Sequence, residues 1–597
     1  MTHPLTSMSP PPLCHGDPHV QGTASGRLIA SHVELSFWGG VDPQTGQVID
    51  QHHPLSGHSL EGCILAIPGG RGSCSGSGVM LELLLNNRGP KAILFERREE
   101  ILTLGVMVAE EMFDRAIPVI TLSSVDFQRV LKLHDTYITV GDGYIFDQEL
   151  PGTLHELPDC HSKILSVLTT KIQLSDVDRA LIQGEYGEAA RVAMQIVLRM
   201  SELLEVRELI PVTQVHVDGC IYTGPGSLLF AEKLRDLGGH VLVPTTLNSI
   251  SVDQKRWRAQ GVDVAFGEAA DRLAKAYMDM GARPTFTCSP YQLDSAPKLG
   301  DQVAWAESNA VVYANSILGA RTMKYPDFLD IAIALTGRAP KGGPHVDTNR
   351  RASLVIRLHD VERLHDLDDS FYPVLGYHVG TLAATQIPVI VGLESLAPNR
   401  DDLKAFGAAF ATVSSAPMFH MVGITPEAET IEAAIRPGTH PPCVDVQIED
   451  LIPCWDTLNT ASECQTVDLI SLGNPHFSLR EIRRLATLCQ GHTKCEGVAV
   501  MVTCSRATYS LAGQAGLIQE LERFGVRFIT DTCWCMITEP IIPRSPNAIM
   551  TNSGKYAHYG PGLTGRKFYL GSLARCVDTA CQGRPVDHRP SWMVEKM

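Results

Sequence analysis

Short apolar runs bounded by glycine, proline and polar turn residues set the pattern over the first 150 or so positions. RLIASHVELSFWG, GCILAIPGG, AILFERR, PVITLSS and YITVGDGYIFD read as strands, because brief apolar or β-branched runs between turn signals fit a buried strand. Amphipathic stretches at 79–85 and 105–113 predict two helices among them. Residues 1–25 are rich in Pro, Ser and His and carry no period, which predicts a mobile tail.

The pattern changes near position 171. Residues 171–208 have helical periodicity and open on Ser175 as an N-cap. Strands and helices then alternate. VTQVHVDG leads to a helix from Ser227, and HVLVPT and RPTFTC are expected strands. VDLISLG leads into SLREIRRLATLC, and GVAVMVTC into the helical SRATYSLAGQAGLIQELERFG. VRFITDTC follows, and NAIMT leads into NSGKYAHY. Such alternation predicts α/β layers with largely parallel sheets. The expected division is tail 1–25, a β-rich domain 26–165 and an α/β region 166–597.

Composition narrows the function classes. The chain has 597 residues and 66 acidic against 50 basic side chains, a formal net charge of −16. A nucleic-acid binder needs a basic surface to neutralise phosphates, so nucleic acid is not an expected partner. Hydrophobic residues make up 44 % and charged residues 19 %, which excludes a disordered chain. No stretch approaches the ~20 apolar residues of a membrane span, and no secretory leader is evident. The expectation is a cytoplasmic protein, monomeric or a small homo-oligomer, whose 16 cysteines are thiols or metal ligands and not a disulfide framework.

Ligands of open α/β sheets bind beyond the carboxyl ends of the strands, so the residues ending each predicted strand are the candidates. Asp218, Gly219 and Cys220 follow the first strand, Thr245, Thr246 and Asn248 the second, and Gly473, Asn474 and His476 follow VDLISL. Cys288, Cys504 and Cys533 each close a predicted strand. Cys504 and Cys533 are 533 − 504 = 29 residues apart, about the length of one βαβ unit, whose right-handed crossover returns both ends to one sheet edge. Three thiolates with an open position suit iron acting as a Lewis acid. The alternative is three buried strand-end cysteines.

Other segments carry polar groups in unusual settings. Residues 67–78, IPGGRGSCSGSG, form a glycine-rich turn whose backbone N–H groups can nest an anion, with Gly72 in the turn, Arg71 adding charge and Ser73, Ser75 and Ser77 adding hydroxyls. It lacks the GK[ST] of a Walker loop. Glu307, Ser308 and Asn309 interrupt an apolar stretch and read as a helix N-terminus aimed into a site. His345, Arg350 and Arg351 lie in a loop where an arginine can clamp a substrate carboxylate. Arg506 follows Cys504.

These motifs together resemble the aconitase X family. PGGRGS, TLNSISVD, TCSPY, AWAESNAVVYANSILGART, GITPEA, CSRA, DTC and TNSGKYAHY occur in the family's order across about residues 27–580. The resemblance implies a swivelling β/β/α domain, fused here at the N-terminus, and a large aconitase-like α/β catalytic region. It implies an iron centre, an iron–sulfur cluster of the 2Fe-2S type first and mononuclear iron as the alternative, on Cys288, Cys504 and Cys533. It makes Ser73 the base, with Arg71, Lys555 and His558 catalytic. Gly72, Ser77, Asn248, Glu307, Ser308, Asn309, His345 and Arg506 become substrate-binding. GNPHFS at 473–478 departs from the GCPHCS of archaeal members and favours a dehydratase of cis-3-hydroxy-L-proline, a small hydroxy amino acid, over one of mevalonate 5-phosphate. An iron-sensing RNA-binding regulator is the alternative of a different class.

Overall fold

The computed structural model describes residues 11–50, 53–148, 171–361, 367–461, 466–545, 547–585 and 589–593. The chain divides into two compact units. The first comprises Met1–Arg71, Ser75–Leu174 and Leu198–Arg207. The second comprises Gly72–Cys74, Ser175–Val197 and Glu208–Met597. The boundary expected at 165/166 lies outside the described residues.

The first unit is built on an eight-stranded sheet of order β1-β8-β7-β3-β4-β5-β6-β2. Its strands are β1 (Cys14–His15), β2 (Asp17–Val20), β3 (Thr23–Ala30), β4 (Ile64–Ile67), β5 (Ala92–Phe95), β6 (Val119–Thr121), β7 (Tyr137–Gly141) and β8 (Tyr144–Phe146). β4 and β5 are buried at every position, as their unbroken apolar runs require, and pair in parallel through the crossover helix α1 (Gly76–Leu85). Helix α2 (Ile101–Phe113) makes the next crossover to β6.

The predicted tail is a correction. Residues 14–20 form β1 and β2, which pair antiparallel with β8 and β6 at opposite edges of the sheet. One short segment therefore covers both edges, which would otherwise expose unpaired backbone groups. Too brief for a visible hydrophobic period, it is held by backbone bonds such as Gly16 N to Gly143 O at 2.9 Å.

The second unit contains three parallel layers. In the first, β10 (Val215–Val217) lies between β11 (Thr245–Leu247) and β12 (Ala304–Trp305), with the antiparallel pair β9 (Leu209–Pro211) and β13 (Arg338–Pro340) beside it in sequence. The second has order β16-β15-β14-β17, from β14 (Leu354–Leu358), β15 (Pro388–Val391), β16 (His420–Met421) and β17 (Cys443–Val446). The third has order β20-β19-β18-β21-β22, from β18 (Val467–Leu472), β19 (Ala499–Cys504), β20 (Val526–Thr530), β21 (Ala548–Thr551) and β22 (Phe568–Leu570). The α/β architecture with parallel sheets is as expected.

Three local expectations are corrected. HVLVPT becomes a strand only from Thr245. RPTFTC is no strand: a single bridge joins Arg283 to Thr246, and Phe286 at φ 40° breaks the extended run. The helix expected after Cys504 is two helices, Arg506–Gln514 and Leu517–Phe524, parted at Gly516 with φ 75°.

A Cβ on Gly16 would come within 2.4 Å of Thr121 O, a backbone atom that cannot step aside without moving β6. Gly16→Ala is expected to destabilise the first unit by about 1–3 kcal/mol, read as faster amide hydrogen exchange across β6 and β8. Unchanged exchange would mean that the segment is the tail its composition suggests.

Candidate active site

The site grows from the carboxyl ends of the first parallel layer. Asp218 directly follows β10, Asn248 directly follows β11, and Glu307 comes two residues after β12. Parallel pairing puts all three at one edge. Glu307 caps the short helix Ser308–Tyr313, its carboxylate accepting from Ala310 N at 2.8 Å and from the Asn309 amide. Lys555, in the first turn of the helix Gly554–Thr564, donates to Glu307 Oε1 at 2.8 Å. Burial alone would raise the Glu307 carboxyl, but Lys555 and the other donors hold it below its ordinary value. Burial likewise opposes the charge on Lys555, and Glu307 outweighs it, so the ammonium is held well above its usual range. Asn248 donates to Asp218.

Asn309 carries the site onward to the cysteines. Its amide donates to Cys288 O at 3.0 Å, and its Oδ1 accepts from Tyr291 OH at 2.8 Å. Cys288 Sγ accepts the backbone N–H of His476 at 3.3 Å. The His476 ring then spans two segments, Nδ1 at 3.2 Å from Thr287 Oγ1 and Nε2 at 2.8 Å from Thr532 O. The Cys533 thiol interacts with the thiols of both Cys288 and Cys535; Cys288 first, together with burial, holds it up at about 12. Asn474 Nδ2 lies 3.5 Å from Cys535 Sγ, while Asn474 Oδ1 is buried without a hydrogen-bond partner. Lys404, on the helix Arg400–Val413, donates to His476 O at 3.3 Å and pairs with Glu481.

Of the predicted residues, Cys288, Cys533, Glu307, Asn309, Lys555 and Asn248 meet here, with Ser308 buried in the capped turn. Gly72 and Ser73 lie in the tripeptide that belongs to the second unit, where Lys324 Nζ donates to Gly72 O at 3.0 Å. Burial lowers the Lys324 ammonium. Arg71 and Ser77 belong to the first unit, Arg71 paired with Asp50 at 3.0 Å and Ser77 buried in α1.

Cys504 is a correction. Strand residues alternate between faces. Val500, Val502 and Cys504 pack in one core, whereas Met501 packs in another with Trp534, the neighbour of Cys533. Cys504 is thus a core residue near Arg256, Asp531 and Asp253, whereas the Cys533 thiol interacts with those of Cys288 and Cys535. Arg506 is not delivered to the site either. It grips the buried Asp531 with two bonds of 2.8 Å, bonds Gln254 and lies over the Phe286 ring. His345 has both ring nitrogens engaged, by Tyr325 OH at 2.5 Å and Gln302 Oε1 at 2.6 Å. His558 is exposed and bonds Tyr377 OH at 3.1 Å. Arg350 is buried on Glu427 and Asn315, a structural brace. Asp218, Asn474, His476, Cys535, Lys324 and Lys404 join the site although only strand-end position marked the first, second and third of them.

The donors suit a soft metal. The Cys533 thiol stands between those of Cys288 and Cys535, near an orphaned amide carbonyl of Asn474, and sulfur donors favour iron over harder cations. Among the described residues no three His, Cys, Asp or Glu side chains already surround one point. Cys288 and Cys533 are the predicted ligands that remain.

The comparisons with known proteins agree on one family. Residues 13–146 match the aconitase X swivel domain, 171–348 its first domain, 352–456 its second and 467–582 its third. The chain is 63 % identical over 569 residues to the cis-3-hydroxy-L-proline dehydratase of Hypocrea jecorina, covering 95 % of both chains. It is 50 % identical to the enzyme of that name from Pseudomonas aeruginosa, covering 96 % of this chain and 98 % of that one. The crystal structure of Thermococcus kodakaraensis aconitase X in its holo-form superposes with a TM-score of 0.61 at 30 % identity, over 68 % of this chain and 100 % of that one. With every domain of that family matched in order along one polypeptide, the chain belongs to the aconitase X family.

Proposed function

We propose that this chain is a hydro-lyase that removes water from cis-3-hydroxy-L-proline to give Δ1-pyrroline-2-carboxylate. The observation that carries the reading is the 63 % identity to the Hypocrea jecorina dehydratase along 95 % of both chains, swivel and catalytic parts together. The site suits the chemistry: an elimination α,β to a carboxylate needs a held anion, a base at Cα and help for the departing hydroxide.

Cys288 and Cys533 are the residues that would hold iron, which when bound would supply Lewis-acid polarisation of the C3–OH bond. Ser73 Oγ takes the Cα proton. A serine oxygen is a weak base, so the charge it carries requires a neighbouring cation. Lys324, bonded to the carbonyl just before Ser73, is the cation at hand. Among the described residues Lys324 bonds a carbonyl and no carboxylate, which leaves its remaining N–H groups for the substrate carboxylate. Lys555 stays fixed by Glu307, its charge offset by that carboxylate, and holds the strand-end side chains in place. The enamine formed tautomerises to the cyclic imine.

The purified chain is expected to convert cis-3-hydroxy-L-proline, followed by NMR, and to leave mevalonate 5-phosphate untouched; the reverse preference would overturn the substrate assignment. Ser73→Ala should lower kcat by ~10²–10⁴, and wild-type turnover would remove Ser73 from its role. Cys288→Ser and Cys533→Ser should lose iron, measured anaerobically by metal count and absorption spectrum, whereas Cys504→Ser keeps its iron. Iron lost from the Cys504 variant alone would restore the expectation that the structure corrects.

A further inference from the structure

Three carboxyl groups share the buried strand-end site, and their hydrogen-bond supply is unequal. Glu307 receives the Lys555 ammonium, Ala310 N and the Asn309 amide. Asp330, on the helix Leu329–Thr336, receives three backbone N–H groups, from Asp218 at 2.7 Å, Gly219 at 3.1 Å and Ile331 at 2.6 Å. Asp218 receives one neutral donor, the Asn248 amide. It is 3 % exposed, so water supplies little more.

The groups facing Asp218 do not favour a second charge. Glu307 lies ahead of the helix Ser308–Tyr313, Asp330 on its own helix and Lys555 on the helix Gly554–Thr564, and the thiols of Cys220 and Cys74 stand nearby together with Asp327 and Lys324. Of the two ammonium groups, Lys555 already bonds Glu307 and Lys324 bonds the Gly72 carbonyl. A buried carboxyl with one amide donor and two better-solvated carboxylates beside it takes up a proton, since only the neutral form avoids an uncompensated charge.

We propose that Asp218 is the acid of this site, a neutral carboxylic acid in the resting protein that gives its proton to the hydroxyl leaving C3. The C3–O bond breaks with its electron pair on oxygen, that oxygen takes the Asp218 proton, and water departs. The proton removed from Cα passes through Ser73 to solvent, and solvent restores Asp218, so the net products are the enamine and one water. The chemical consequence rests on the dehydratase reading; the protonation state does not. Burial first, then Glu307 and Asp330, raise the Asp218 carboxyl to about 7, against the pull of Asn248 and Lys555. The raised value sets the sign: the donating form is present below about 7 and is lost as pH rises through it.

The test uses the full-length, iron-loaded protein and two readouts. Infrared difference spectra without substrate should show the carbonyl stretch of a protonated carboxylic acid below neutrality, absent from Asp218→Asn. That variant should lower kcat about 100-fold with KM within about twofold, and its alkaline limb near neutrality should vanish. Asn248→Leu removes the amide donor to Asp218, the one found among the described residues, and should carry the band and the alkaline limb to higher pH, which a purely structural role would not do. A band together with no turnover of the hydroxyproline supports the acid and counts against the substrate assignment. No band assignable to Asp218, or an Asp218→Asn variant with wild-type kcat and an unchanged limb, overturns the proposal.

Discussion

Lys555 and Glu307 are 248 residues apart in sequence, and neither charge is sustainable at its depth without the other. Desolvation penalises both ions, and removing one member of such a pair typically costs ~3–5 kcal/mol because the survivor stays buried. The contact therefore sets the distance between the edge of the β11-β10-β12 sheet and the helix that follows β21. Glu307 also caps its own helix, so the pair fixes the Asn309 side chain. Asn309 in turn holds the Cys288 carbonyl and the Tyr291 hydroxyl. Position passes from charge to amide to thiol with each polar group partnered on the way.

His476 closes the circuit from the other side. Its backbone and ring reach Cys288, Thr287 and Thr532, which brings the segment after β18 against the segments carrying Cys288 and Cys533. Lys404 and Gln292 both donate to its carbonyl, so the loop is held from two directions. Such outer partners orient the donors that meet a metal or substrate. Without them Cys288, in an irregular segment and not on a strand, has no regular element to aim its thiol.

Most of the layered fold was legible because buried parallel strands are unbroken apolar runs: VDLISL and AVMVTC are buried almost throughout. What misled was position without orientation. Cys504 ends a strand as expected, but its parity with Val500 and Val502, readable in GVAVMVTC, assigns it to the core. RPTFTC looks extended and is irregular because Phe286 adopts a left-handed conformation that no side-chain pattern signals. Arg506, Arg350 and His345 carry the right chemistry for a substrate, and long-range partners such as Asp531, Glu427 and Tyr325 claim them instead. Sequence spacing cannot reveal partners that tertiary packing supplies.

The same reasoning explains how a chain of net charge −16 builds a site fit for an anion. Net charge describes the surface field, whereas a buried site feels its nearest groups in a low dielectric. Lys404 is paired with Glu481 and Lys555 with Glu307, whereas the hydrogen bond of Lys324 is to the Gly72 carbonyl, with Glu307 and the Cys74 thiol nearby. Lys324 then stands against Asp330, whose charge is held by backbone N–H groups, and a neutral Asp218 keeps the buried groups from carrying a net negative charge inside an acidic protein. A dianionic phosphate would call for more cations than these elements bring together.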